Sequence, residues 1–286
     1  MKISKISEFW IITYLISAVF FAQYFKSANR NMKNAGILTI ILEFFSAIFA
    51  LLFTFLFPFK ISTDSNITII LFIVTIIYAI TDRLNIETRY GLPPSTFSML
   101  KQLSTAFIIF IGIVILKEKI VIPKIIGAII IIISNLFLAY EKGKFVINKY
   151  FVMAIFANLL FAIAMIININ ISSKFNIGIY TFITLFIPLL WNIIIGRFKL
   201  KDIKKEFALY DKKKIIISSF LWTLMLISSV KAYEFGNIIV VATLFTLTSI
   251  LNAFIEFFIN KNNKELLKKT FIFIFLLIGV LLVRAF

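Results

Sequence analysis

The chain has 286 residues, of which 61% are hydrophobic and 15% charged, with a mean hydropathy of +1.04. A soluble domain is typically about 45–50% apolar and about 25% charged, so this composition excludes a soluble fold, and at roughly 20 residues per transmembrane helix ten spans leave room only for short loops. Thirty Lys and Arg against 13 Asp and Glu give +17, a charge that anchors helix ends at a phospholipid surface rather than binding nucleic acid, and the absence of Cys and His excludes disulfides, a thiolate nucleophile, an imidazole base and a His/Cys metal site.

Apolar runs broken by Lys, Asn and Asp predict helices over 9–25, 37–57, 67–88, 94–116, 121–140, 150–170, 177–196, 214–235, 237–259 and 266–284. Lys2 and Lys5 precede the first run in the manner of a signal peptide. No small-x-small cleavage site follows, and Gln23 leads into a basic loop, so the run is read as the first span. Glu43 lies about a third of the way into the second. An ionisable residue inside a membrane is costly and by default faces a cavity or a partner. In the third helix the apolar run from Ile67 to Ile80 is followed by Asp82, Arg83, Glu87 and Arg89, which allows two readings. Either the helix ends at Ile80 and all four are wet, or it continues, pairing Arg83 with Glu87 four residues on and setting Asp82 and Arg89 on one face, open to a ligand or to Lys101.

Pro93-Pro94 opens the fourth helix, with Lys101 and Gln102 two turns inside it; Lys101 either snorkels or faces a cavity. Asn158, Asn168, Asn192 and Asn252 are intramembrane amides suited to interhelical hydrogen bonds. The stretch from Arg197 to Lys214 carries eight Lys or Arg and reads as a solvated loop at a headgroup surface. Lys231 and Glu234 close the eighth helix, and Glu256 lies near the end of the ninth.

Sliding the chain by 145 residues sets Thr88-Arg89-Tyr90-Gly91 over Tyr233-Glu234-Phe235-Gly236, and Leu116-Lys117-Glu118-Lys119 over Lys261-Asn262-Asn263-Lys264. The expected organisation is therefore two five-helix units, 1–145 and 146–286. An odd number of spans per unit inverts the second in the bilayer, the architecture of many secondary transporters, whose site lies near the midplane at the repeat interface.

Gln102-Leu-Ser-Thr-Ala-Phe, then Leu116-Lys-Glu118-Lys, then Ile126-Gly127 and the apolar run to Tyr140 resemble the fourth helix, its terminal Glu and the fifth-helix Gly of an EamA unit. The chain as a whole resembles the ten-helix members of the drug/metabolite transporter superfamily, built of two such units. In the second copy Asn263 stands where the Glu is expected and Ile272 where the Gly is expected, so Glu118, between two lysines at a helix end, is read as fixing a loop. The resemblance further implies that Tyr78, Tyr90, Trp222 and Tyr233 lie on or beside pocket-lining helices, where they either stack on a substrate or anchor at the interface.

These observations predict an all-α polytopic membrane protein of ten helices in two inverted repeats. The expected activity is alternating-access transport of a small polar or zwitterionic metabolite, with a cation or drug exporter of the same fold and a non-transporting membrane scaffold as alternatives. The candidate substrate-binding residues are Lys101, Gln102, Asp82, Arg83, Tyr78, Trp222 and Tyr233. With no His, proton coupling must use a carboxylate, and Glu43, flanked by Leu42 and Phe44 with no cation within a turn, is the candidate. No enzyme activity, metal or cofactor is expected, and no GxxxxGK[ST] loop for ATP occurs. Expected partners are the solute and membrane lipid, the protein being a monomer or homodimer in the plasma membrane. Loops after odd-numbered helices hold 20 Lys or Arg against 9 in the termini and remaining loops, which sets both termini outside the cytoplasm; the resemblance implies the opposite.

Overall fold

The computed structural model describes residues 5–29, 31–114, 117, 121–138, 140–141, 144–145, 147–168, 171–235, 241 and 244–285. Side-chain placement is described for these except 140, 141, 144, 145, 168, 284 and 285. Glu118 and the side chain of Asn168 therefore lie outside the described residues.

The helices are α1 (Lys5–Ala28), α2 (Ala35–Thr54), α3 (Ser65–Gly91), α4 (Pro94–Leu100), α5 (Leu103–Val114), α6 (Ile122–Leu138), α7 (Lys149–Asn168), α8 (Ile177–Gly196), α9 (Leu200–Phe207), α10 (Lys212–Phe235), α11 (Leu247–Asn260) and α12 (Asn263–Ala285). A two-residue antiparallel ribbon, β1 (Tyr140–Glu141) with β2 (Lys144–Phe145), joins α6 to α7. Among the described residues, eight segments, with α4 and α5 counted as one, are long and apolar enough to cross a membrane, and α6 and α11 are shorter apolar helices. Apart from that short ribbon the regular structure of the described residues is helical, and the protein is polytopic, as the hydropathy predicts. On α1, Phe9, Ile12, Ile16 and Phe20 are exposed at helical spacing while Phe21, Ala22 and Phe25 are buried: one stripe faces lipid and the other the bundle.

Asparagine and aspartate start several helices by accepting from orphan backbone N–H groups: Asn34 from Ile37, Asp64 from Asn66, and Asn176 from Gly178 and Ile179. Arg197 and Lys261 close α8 and α11 with positive φ of 49° and 56°. The most extensive packing pairs helices distant in sequence: α1 with α10, α6 with α12, α2 with α8 and α3 with α7, and α4 rests on α11. The α6–α12 pair approaches through Gly127 and Gly279. A Cβ on Gly127 would stand 2.6 Å from the Gly279 carbonyl oxygen. The small residue absent at 272 is thus supplied two turns further along.

One open alternative is decided, and two elements depart from the sequence reading. Helix α3 runs unbroken from Ser65 to Gly91, so Asp82 and Arg89 are helical rather than wet loop. The fourth span is pinched: at Lys101 and Gln102 the backbone changes to i+3 hydrogen bonds, Ser104 N to Lys101 O (3.2 Å) and Thr105 N to Gln102 O (3.0 Å), the tighter pattern that often marks a functional break. Third, the basic 197–214 stretch is not simply a loop but contains α9. Its Ile203 and Phe207 pack into the core, and its buried Glu206 accepts from Lys33 N (2.9 Å), Asn34 N (3.0 Å) and the Tyr210 hydroxyl (2.6 Å).

Candidate binding cavity

Helix α3 carries the periodicity that builds the site. Tyr78, Asp82, Asn85, Ile86 and Arg89 recur at three- and four-residue spacing, so they share one face, and all five line a cavity of about 340 Å³. Opposite them the pinch between α4 and α5 presents Lys101 and Gln102, and α10 contributes Trp222, Ser229 and Tyr233. Thr181 and Thr184 of α8, Phe161 of α7, Tyr14 and Phe21 of α1 and Phe245 just ahead of α11 complete most of the wall. The volume lies at the small end of the range for small-molecule sites.

Among the described residues three charged side chains line this cavity: Asp82, Arg89 and Lys101. Asp82 interacts electrostatically with both cations. Among the described residues, however, no ion pair within 4.0 Å joins any of the three, nor does a side-chain hydrogen bond engage them. The cations rest on rings instead. The Lys101 ammonium lies 4.3 Å from the Phe161 ring centre, and the Arg89 guanidinium lies 4.0 Å from Phe97 and 4.8 Å from Phe21. Such contacts hold a cation without neutralising it. The aromatic wall is itself ordered: Phe21 stacks on Trp222 at 5.9 Å, and Phe245 stacks on Tyr14 at 3.6 Å while meeting Tyr233 edge-on at 5.4 Å.

Of the candidates read from sequence, Lys101, Gln102, Asp82, Tyr78, Trp222 and Tyr233 all line the cavity. Arg83 does not. One residue past Asp82 turns it about 100° around the helix, and its guanidinium lies 5.8 Å from the Phe198 ring. Nor does it pair with Glu87, whose partner is Lys149 across the helix interface at 3.4 Å. Glu43 is fully buried behind the wall, where the Asn192 amide donates to both its oxygens at 3.2 and 3.3 Å. That contact between α2 and α8 was invisible in the isolated second helix. Glu256 is structural in its contacts: it accepts from the Ser95 N–H (2.7 Å) and hydroxyl at the start of α4 and pairs with Lys269 at 2.7 Å. Asn252 links Gln23 (2.8 Å) to Ser98 (3.2 Å), and Asn158 donates to the Leu100 carbonyl at 3.0 Å. Sequence reasoning missed the Tyr14, Phe161 and Phe245 walls, because a lone aromatic among 35 Phe and nine Tyr carries no positional signal.

The known proteins bear on this arrangement in three ways. No curated protein matches the sequence. Twenty-three solved chains match it, among them a crystal structure of a protein that covers 98% of this chain and 97% of its own at 9% identity and a TM-score of 0.57, a likeness of fold alone. Residues 8–140 match the EamA-like transporter family. Through those residues, just under half of the chain, this polytopic membrane protein carries a unit similar to those of the EamA-like transporters of the drug/metabolite superfamily.

Proposed function

We infer that the protein is a secondary transporter of the plasma membrane, moving a small polar or zwitterionic metabolite by alternating access between residues 1–145 and 146–286. The carrying observation is a membrane-embedded cavity that holds charges of both signs, none directly paired, among stacked rings. Intramembrane charge of this kind marks a solute pathway.

The division into two inverted halves is supported by the pairing of helices. Counting spans one to ten, α1 with α10 is span one on span eight, and α7 with α3 is span six on span three; the two pairings exchange when each span is replaced by its counterpart five along. The pinch repeats as well. Ser104 N donates to Lys101 O, and 145 residues on Ser249 N donates to Thr246 O at 3.0 Å. Interrupted helices at corresponding positions of two halves are the pattern expected around a transporter's site.

Glu43 is the proposed proton-coupling group. It is buried, has an amide rather than a cation as its partner, and interacts electrostatically with Asp82 on the cavity wall, so a proton there alters the field at the site. The exporter of organic cations is the weaker reading, since two of the three charged lining residues are cationic. The test is solute flux in proteoliposomes with and without a proton gradient. We predict gradient-dependent flux in the unaltered protein, and in Glu43→Gln flux that persists as exchange but ignores the gradient. Gradient dependence retained by Glu43→Gln removes Glu43 from the mechanism, and absence of flux for every solute class removes the transport reading.

A further inference from the structure

Arg89, like Lys101, rests on aromatic rings, but it is held between two of them where Lys101 has one. Phe97 of α4 and Phe21 of α1 both contact the guanidinium, at 4.0 and 4.8 Å. Rings attract the cation but accept none of its N–H bonds in the geometry that oxygen does. Among the described residues no carboxylate lies within 4.0 Å of it and no acceptor is bonded to it. The result is a planar five-donor fork whose orientation is fixed by its neighbours and whose donors are not taken up by the protein, the residue type best matched to a carboxylate or phosphate.

Charge balance points the same way. Asp82 is seven residues before Arg89, about 10 Å along the helix axis, too far to bridge it directly. Its stronger electrostatic interaction is with Lys101. Counting the lining alone, one carboxylate against two cations leaves a net charge of +1, and Glu43 behind the wall leaves that excess in place while it holds its proton. A zwitterion would leave that excess in place, a cation would increase it, and an anion removes it, a carboxylate cancelling it and a phosphate monoester, at about −1.5 to −2 near pH 7, more than cancelling it. In a low-dielectric setting uncancelled charge is expensive.

We propose that Arg89 is the anion anchor of the cavity and that the solute is a small organic anion, a carboxylate or phosphate ester, with an apolar body lying against the Phe21–Trp222 stack. The assignment rests on the transport reading and takes its polar branch against the zwitterionic one. Lys101 and Asp82 then act as a balanced pair that orients the remaining polar groups of the solute.

The test uses the purified full chain in detergent and follows its unfolding temperature with millimolar benzoate, phenyl phosphate, phenylalanine or benzylammonium, a set sharing one ring and differing in charge. Benzoate and phenyl phosphate should raise the unfolding temperature, and phenylalanine and benzylammonium should not. Arg89→Gln should lose the protection. Asp82→Asn, which removes the competing carboxylate, should be half-saturated at about tenfold lower benzoate, a gain that a misfolded variant cannot deliver. Protection by benzylammonium or phenylalanine as strong as that by benzoate, no protection by either anion, or full protection of Arg89→Gln overturns the proposal. Flux in proteoliposomes separates the two levels: anion protection without flux fails the transport reading, whereas flux without charge preference fails the anion assignment.

Discussion

Lys101 sits at the pinch between α4 and α5, its ammonium 4.3 Å from the Phe161 ring and its backbone carbonyl accepting from Ser104. The side chain contributes charge to the cavity, while the local backbone geometry is made by main-chain bonds that any side chain permits. We therefore predict that Lys101→Met abolishes flux with an unchanged unfolding temperature, because a neutral chain of similar length is no harder to bury than an ammonium. Flux at the unaltered rate would show that the ammonium takes no part in solute handling. Arg89 makes the complementary case at this scale, a cation whose position is set by two rings from other helices rather than by its own neighbours in sequence.

Two elements carry consequences that single residues do not. Helices α6 and α12 touch backbone to backbone where Gly127 meets Gly279. A methyl on Gly127 would lie 2.6 Å from the Gly279 carbonyl oxygen and 2.9 Å from the Val283 nitrogen, and neither atom belongs to a movable side chain. Gly127→Ala should cost about 1–3 kcal/mol, the usual range for overpacking, read as a lowered unfolding temperature; unaltered stability would mean that the helices part without loss. Helix α9 is fastened by polar contacts in addition to the packing of Ile203 and Phe207. Burial, and then the bond to Glu206, push the Tyr210 phenol above its ordinary value of 10.0. A folded-state pKa above the unfolded one means that the folded form holds its proton more tightly, so this stabilisation is complete below about pH 10 and is lost as pH rises through the folded value. Backbone amide exchange in α9 should accordingly be protected at neutral pH and lose that protection selectively above about pH 10, a loss that Tyr210→Phe should not display. Equal alkaline sensitivity in the variant would take the effect away from Tyr210.

At the scale of the molecule, α9 and the starts of α2, α4, α7, α10 and α12 belong to one end of the bundle, and this end carries most of the basic residues. The positive-inside bias assigns it to the cytoplasm and sends the first and last helices' free ends to the other side, against the expectation that the family resemblance brings. A cytoplasm-only fluorescent reporter fused to the C-terminus should stay dark. Fluorescence would show that the charge count, dominated by the 197–214 stretch, reports the docking of α9 and not orientation.

Composition and hydropathy alone determined that the chain is a bundle of membrane-crossing helices, because burying backbone in lipid leaves little other than helix and apolar length fixes where each can run. Periodicity also determined that Asp82 and Arg89 share a face, since seven residues return nearly to the same side. What the tertiary structure decided is which of those faces meet. Glu43 finds Asn192 149 residues away and Glu256 finds Ser95 161 residues away, distances over which local sequence carries no register. Arg83 and Glu87, four apart and ready to pair as an isolated helix would have them, are drawn instead to Phe198 and Lys149. The aromatic wall needed the fold most: in a chain with 35 phenylalanines among 286 residues, hydrophobicity says that a ring will be buried or in lipid, and only the packing of α1, α7 and α10 selects those that face the cavity.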